Sequence, residues 1–421
     1  MQPEQITEAE IEGHHSLGRR FWMLWTATFA SGIGDGVVIV AAPLAAARLT
    51  DSAIAVSGLA VAATLPWLLV GLQAGVIADR ADRRTLMALL DVLRGVAVTA
   101  VALSLWAGSS ELIMLYAATF TIGCAYTAFS AAATATIPDL VPESLLGRAN
   151  GRLYAAEVAS EQTGGQALGG VLFAAAASLP FLVDAASFAV SALLLLVAIP
   201  RRVGPVEPTE RVSILRDVAA SVRLVRGDEV LRLLAVSIAV LAGCQAMAMS
   251  SFVLFALGPV GLHDRAYGLL FALVAAGALV GGLAADRVDR RFGSAVTLAG
   301  CGVASAAGYV LIALTARLVP VAIGLTIEGS AVAIGNVSSV TLRQRITPPE
   351  RLGASSNVIR VLIFSASPVA ALAGGFVAQH VSLRAPMLAA AAIQIPVTLL
   401  LAPALIRRVS ARVPAGVPAA A

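Results

Sequence analysis

Apolar residues fall in long runs along this chain, and polar and charged residues gather in the short stretches between them. Runs of more than about 18 apolar residues are long enough to cross a bilayer as helices. Twelve such spans are predicted, at 21–47, 54–78, 85–107, 111–136, 150–177, 179–200, 231–257, 265–285, 294–316, 319–341, 354–379 and 385–406. Most connections are short. One longer polar segment, from Arg201 to Glu229, contains "RRVGPVEPTERVSILRDV" and reads as a loop followed by an amphipathic surface helix. The pattern predicts an all-α integral membrane protein: a six-helix bundle over 1–205, a central loop over 206–230 and a second six-helix bundle over 231–421. The first run is not a cleavable signal, because it is too long, holds an aspartate and is followed by further spans.

Composition agrees with that pattern. Of 421 residues, 58% are hydrophobic and 13% are charged, about half the charged share of a soluble domain. Mean hydropathy is +0.87. The net charge is +4, and all 29 basic side chains are arginine. Without lysine there is no Walker lysine, Schiff-base lysine or kinase lysine, which argues against an ATP-driven engine in this chain. Cys124, Cys244 and Cys301 lie in separate apolar runs and read as packing residues, with no metal-ligand spacing. The four histidines lie outside the apolar runs or at their ends. No metal, cofactor or nucleic-acid partner is expected.

Arginine placement predicts orientation. With both termini and the even-numbered connections on the cytoplasmic side, only Arg48, Arg265, Arg317 and Arg384 face outward, while Arg94 and Arg360 lie inside spans. The other arginines all fall on the cytoplasmic side. The arginine-rich, lysine-free composition fits a bacterium of high GC content, hence an inner (plasma) membrane.

A phrase repeats across the two halves. "GVIADRADRR" (Gly75 to Arg84) and "GLAADRVDRR" (Gly282 to Arg291) match at seven of ten positions, 207 residues apart. The same offset relates Pro142, Glu143, Leu145 and Asn150 to Pro349, Glu350, Leu352 and Asn357. Two anchors in one register indicate a duplicated six-helix unit, and six being even, both copies share one orientation. In each phrase the glycine is expected to end a helix close to its neighbour. The arginines fix that end at the surface, and an aspartate can bond a helix N-terminus in the facing half.

The phrase resembles the signature loop of the major facilitator superfamily, usually G-x-x-x-D-R-x-G-R-R. Asp82 and Asp289 stand where a glycine is usual. The resemblance implies cytoplasmic gating loops built from Gly75, Asp79, Arg80, Asp82, Arg83 and Arg84 and from Gly282, Asp286, Arg287, Asp289, Arg290 and Arg291. Arg360, one or two turns into the eleventh span, is expected to close a contact to Asp79 or to snorkel to the surface. "IPDLVPESLLGRAN" (Ile137 to Asn150) and "GDG" (Gly34 to Gly36) look like the drug–proton antiporter group that holds macrolide efflux proteins and the enterobactin exporter. "GQALGG" (Gly165, Gln166, Gly169 and Gly170) resembles the antiporter motif G-P-x-x-G-G, with Gln166 in place of proline; close glycine packing survives that change. The fourth span carries no arginine, so coupling through the arginine many drug exporters hold there is excluded.

Ionisable residues within spans cost about 2.5–3.5 kcal/mol or more each and mark functional sites. Asp35 lies roughly 20 Å into the first span and Glu328 roughly 15 Å into the tenth. By resemblance the first, fourth, seventh and tenth spans line a cavity that both would face, with Gln245 and Asn336 offering hydrogen bonds. Glu157 and Glu161 share one helix face. Two like charges that close in low dielectric cannot both stay ionised, which makes them a proton or cation site. Asp91 and Arg94, three apart, are expected to neutralise each other, and Asp184 reads as interfacial. The expected function is secondary export of a small hydrophobic molecule by proton antiport, acting as a monomer. A proton-coupled uptake symporter is the alternative, and a membrane enzyme or sensor finds no motif in its support.

Overall fold

The computed structural model describes residues 17–200, 223 and 225–412. The predicted central surface helix lies outside them up to Arg223. Every described regular element is helical. Among the described residues, ten unbroken helices are long and apolar enough to cross a membrane. They correspond to the first (Gly18–Leu49), third (Arg83–Trp106), fourth (Leu112–Leu140), sixth (Leu179–Ala198), seventh (Glu229–Met249), eighth (Asp264–Phe292), ninth (Ser294–Leu314), tenth (Leu318–Ile346), eleventh (Pro349–His380) and twelfth (Ala385–Arg412) spans.

The second and fifth spans are broken. The second runs as Ala53–Leu69, with Pro66 inside it, and Gly71–Arg80, parted at Val70. The fifth runs as Leu146–Glu157, a π-helical stretch Val158–Gly165, and Gln166–Ala175. Thr163 Oγ1 donates to the Val158 carbonyl five residues back at 3.1 Å, supporting the wider winding. The seventh span also ends early. Ser250 and Ser251 interrupt it, and Phe252–Leu257 follows as a separate turn.

Helix ends follow capping chemistry. Asp82 caps the third span, accepting from Thr85 N at 3.3 Å and Thr85 Oγ1 at 2.6 Å. Gly293, at φ 82°, is the sole residue between the eighth and ninth spans, and that backbone favours glycine. Asp228 caps the seventh span through Val230 N and Leu231 N, and Arg412 at the end of the twelfth grips it at 2.7 Å. Beside it Arg408 pairs with Glu229 at 2.7 Å.

The chain forms two compact units. The first comprises Met1–Ala41, Leu69–Ser110 and Ala117–Pro208. Its packing is set by glycines at alternate positions of the first span. A Cβ at Gly32 would strike Ser160, one at Gly34 would strike Asp184 and Ser187, and one at Gly36 would strike the Glu161 carbonyl. From the fifth span, a Cβ at Gly165 would lie 2.8 Å from Gly36 Cα, and one at Gly169 would lie 2.7 Å from the Val37 carbonyl oxygen. Small residues thus bring backbones together where lipid offers no hydrophobic drive. Leu24, Met87, Phe129 and Leu195 fill the interior beside them.

The second unit comprises Ala42–Leu68, Glu111–Tyr116 and Thr209–Ala421. Its eighth and tenth spans meet at Gly281, whose Cβ would lie 2.6 Å from the Ser330 carbonyl oxygen. Gln394 of the twelfth span donates to the Gly302 carbonyl of the ninth at 2.7 Å. At the end away from the signature loop, Arg48 pairs with Asp264 at 2.5 Å and Gln379 accepts from Ala53 N at 2.7 Å. Trp67 stacks on Phe364 with ring centroids 4.6 Å apart.

Two measurements check this packing. Gly36→Val is expected to destabilise the protein by about 1–3 kcal/mol or more through overpacking. Gly75→Ala, where a Cβ meets open space inside a helix, is expected to be neutral or to stabilise by about 0.5–1 kcal/mol. Thermal unfolding in detergent separates them, and equal losses would contradict the packing described. A pH effect follows from Asp228. Burial pushes its carboxyl up, but bonds from Arg412 and the Leu231 and Val230 amides, with the Arg412 charge, outweigh that and hold its pKa below the ordinary value of 3.8. Such a group stabilises the fold above its unfolded pKa, and the contribution is lost as pH falls through the lowered folded value. Wild type is therefore expected to lose more thermal stability below pH about 4 than Asp228→Asn, which keeps a capping side chain.

Candidate functional site

The first unit contains a fully buried arginine. Arg94 of the third span is 1% exposed. Its Nη2 donates to both carboxylate oxygens of Asp35, at 2.5 and 2.6 Å, and its Nη1 donates to Asp91 Oδ1 at 3.3 Å. The guanidinium carbon lies 4.0 Å from the centroid of Phe188, with Tyr126 and Phe129 at 5.5 and 5.8 Å, so aromatic faces replace part of its hydration. The Asp91–Arg94 pair expected from the sequence is therefore present, and Arg94 holds Asp35 of another span more closely still. Spacing along one helix exposes Asp91; the stronger partner comes from another span.

Asp184 is also part of this cluster. It is 1% exposed, sits against Gly34 and within electrostatic reach of Arg94, and accepts from Ser187 Oγ at 3.3 Å. It is buried within the unit, because the missing side chain at Gly34 lets the first span cover it. Asp91 Oδ2 and Asp184 Oδ2 have no hydrogen-bond partner among the described residues. One guanidinium cannot balance three aspartates in low dielectric.

The cluster borders a cavity of about 230 Å³. Asp35, Arg94, Tyr126, Glu157 and Glu161 line it, together with Phe129, Ile137, Leu153 and Tyr154. The structure thus brings Asp35, Glu157 and Glu161 to one cavity. Gly165 and Gly169 are the close-packed glycines already described; Gly170 is buried and Gln166 partly buried.

In the second unit Glu328 is 3% exposed. Its Oε1 accepts from Gln245 Nε2 at 2.8 Å and from the Tyr309 hydroxyl at 3.4 Å. No arginine pairs with it among the described residues. Asn336, two turns further along the tenth span, is exposed and joins neither group. Among the described residues, no three of His, Cys, Asp and Glu come together to hold a metal ion.

The repeated loops bond within their own units. Arg83 donates to the Ala135 carbonyl at 2.6 Å and to Asp139 at 2.8 Å, tying the third span to the fourth, while Asp82 caps the third. Asp289 accepts from Ser294 Oγ at 2.9 Å and Ser338 Oγ at 2.7 Å, joining the eighth, ninth and tenth spans. Asp286 pairs with Arg290 at 2.6 Å. Arg80, Arg287 and Arg291 are exposed, and Arg84 is partly buried. Gly75 and Gly282 sit within helices in open space, so neither ends a helix nor packs closely. The Asp79 side chain lies outside the described residues. Arg360 is exposed, with its guanidinium 5.6 Å from the Trp67 ring centroid.

Arg94, Asp184, Tyr126 and Tyr309 were not singled out as site residues by sequence. Only Arg94 left a signal, an arginine deep in an apolar run. Replacing it by alanine leaves buried aspartates without their cation and is expected to cost about 3–5 kcal/mol. Adding Asp35→Asn should recover part of that loss. Unfolding of the single and double variants measures the coupling, and purely additive losses would contradict the ion pair.

Comparison with known proteins agrees with this architecture. The model of a family described as transmembrane secretion effector matches residues 18–416. Solved structures align over nearly the whole chain. A bacterial homologue of the iron transporter ferroportin is 17% identical, with a TM-score of 0.71, over 92% of this chain and 99% of that one. A bacterial homologue of the human lysosomal transporter Spinster is 17% identical, with a TM-score of 0.69, over 92% and 97%. A variant of the nucleoside transporter NupG is 10% identical, with a TM-score of 0.72, over 92% and 99%. At these identities the likeness concerns the fold. No curated protein matches the chain. With its helical spans, its duplicated loop and a family match along almost its entire length, the chain belongs to the transmembrane secretion effector family of major facilitator transporters, multi-pass integral membrane proteins.

Proposed function

We propose that this chain is a proton-coupled exporter of a small hydrophobic molecule, neutral or cationic, in a bacterial inner membrane. The observation that carries the reading is the cavity where Asp35, Glu157 and Glu161 meet Arg94 among aromatic and aliphatic walls. The carboxylates outnumber the cation, so the site takes up and releases protons as its surroundings change polarity. Apolar walls favour a hydrophobic cargo over a sugar or other highly polar solute.

The residues divide the work as follows. Asp35, when ionised, is held bidentately by Arg94. When it takes a proton that grip weakens, and the guanidinium is left to Asp91 and the remaining acids. Protonation is thereby coupled to a change in how the first and third spans are held together. Glu157 and Glu161 pass protons between Asp35 and the cavity. Glu328, bonded by Gln245 and Tyr309, is a second acidic site in the other repeat. The two six-helix bundles, 1–205 and 231–421, rock about the substrate to give alternating access. Each charge moved gains about 2.3 kcal/mol per 100 mV of membrane potential. The arginine-rich loops and both termini face the cytoplasm, the loops latch that side, and the protein acts as a monomer.

Asp35→Asn is expected to abolish proton-driven dye efflux in inverted vesicles while leaving the protein folded, since Asp91 still pairs with Arg94. Glu161→Gln should reduce it and shift its pH dependence. Undiminished transport by Asp35→Asn would remove this site from the coupling. Uncoupler-sensitive accumulation of solute by intact cells would reverse the proposed direction.

A further inference from the structure

A second concavity lies within the second unit. The eighth and ninth spans both pack along the tenth and leave a crevice of about 480 Å³. It starts at Val288 and Phe292, passes Val296 and Gly300, and reaches Ala304 and Ile327. From the end of the eighth span to Ala304 it runs roughly 15 Å along the ninth helix. Phe292 and Val296 on its rim are 56% and 40% exposed.

The lining is less polar than its residue names imply. Thr297 Oγ1 donates to the Gly293 carbonyl, Thr326 Oγ1 to Ala322, and Ser330 Oγ to Gly277 and Thr326, all at 3.1 Å or less. These hydroxyls are spent on their own helices and on the eighth span, leaving an apolar slot. An unfilled slot of that size forfeits contacts along its whole wall.

Its mouth is cationic. The Arg291 guanidinium carbon lies 5.7 Å from the centroid of the Phe292 ring, which lines the slot. Arg287 stands one turn earlier on the same helix. Of the acids beside them, Asp286 is taken by Arg290, and Asp289 by the hydroxyls of Ser294 and Ser338. Arg287 and Arg291 have no carboxylate partner among the described residues.

We propose that this crevice is a binding site for one anionic phospholipid of the adjoining leaflet. An acyl chain occupies the slot, and the phosphate rests on Arg291 and Arg287. Apolar depth and a cationic rim are what a phospholipid presents in reverse. A polar solute would find the slot's hydroxyls already engaged and only the weakly donating Cys301 thiol besides, and a zwitterionic lipid would gain less at the rim. The second signature loop thereby becomes a lipid contact, independent of the transported cargo.

Native mass spectrometry of the full-length protein in detergent, with phosphatidylglycerol and phosphatidylcholine of identical acyl chains, tests this. Wild type is expected to retain one phosphatidylglycerol in preference, by roughly fivefold for each arginine meeting the phosphate. Arg287→Gln with Arg291→Gln should bring that preference close to parity. Gly300→Phe fills the slot and should release the bound lipid of either kind. A Cβ at Gly300 meets nothing within 4 Å, so this variant is expected to fold, and an unchanged melting temperature verifies it. Equal retention of the two lipids by wild type, an undiminished preference in the double variant, or a lipid still held by Gly300→Phe would each overturn the site. So would stoichiometric capture of a rhodamine dye that Gly300→Phe abolishes, with no phospholipid preference in wild type.

Discussion

A guanidinium withdrawn from water must have anionic and aromatic neighbours at bonding distance, and much of the first unit meets that demand at Arg94. Its bidentate partner Asp35 lies on a different span, so the pair forms only where the first and third spans are held close. The glycines on either side of Asp35 supply that closeness by letting the fifth and sixth spans press against the first. Substituting Gly34 or Gly36 would therefore disturb the acidic cavity as well as the packing. Architecture and chemistry here share the same few residues.

The second unit uses different means. Glu328 is held by two neutral donors, Gln245 and Tyr309, and by no cation among the described residues. The duplication visible in the signature loops did not extend to the polar interior: position 242, which corresponds to Asp35 by the repeat offset, is an alanine. The repeats kept their outer framework while their interiors diverged. Asp82 and Asp289 show a similar divergence within the loops, one capping the following helix and the other clamping two hydroxyls from neighbouring spans.

The spans were legible because a helix that crosses lipid must be apolar for its whole length, and that constraint is written locally. The acids of the cavity were legible for the converse reason: Asp35, Glu157 and Glu161 interrupt apolar runs at a cost that packing alone does not justify. What was not legible depended on neighbours from other spans. Asp184 sits near a helix end by residue count, yet Gly34 lets the first span bury it. Arg94 shows an aspartate three residues away, whereas its closer partner is 59 positions distant. Gly75 and Gly282 look like close-packing residues in a repeated phrase, but each faces open space. The wide winding of the fifth span is supported by Thr163, an ordinary residue until its bond to the Val158 carbonyl is known.

The wide winding of Val158–Gly165 has a consequence for comparing this chain with others. A π-helical turn takes up one residue more than a regular turn. A relative that winds this stretch regularly will fall out of step with it by one position. An alignment scored on residue similarity alone will then match Glu161 to the wrong neighbour while still pairing Glu157 correctly. Equivalences across the fifth span are therefore to be drawn from superposed backbones, with Gly165 and its contact on Gly36 as the point of registration.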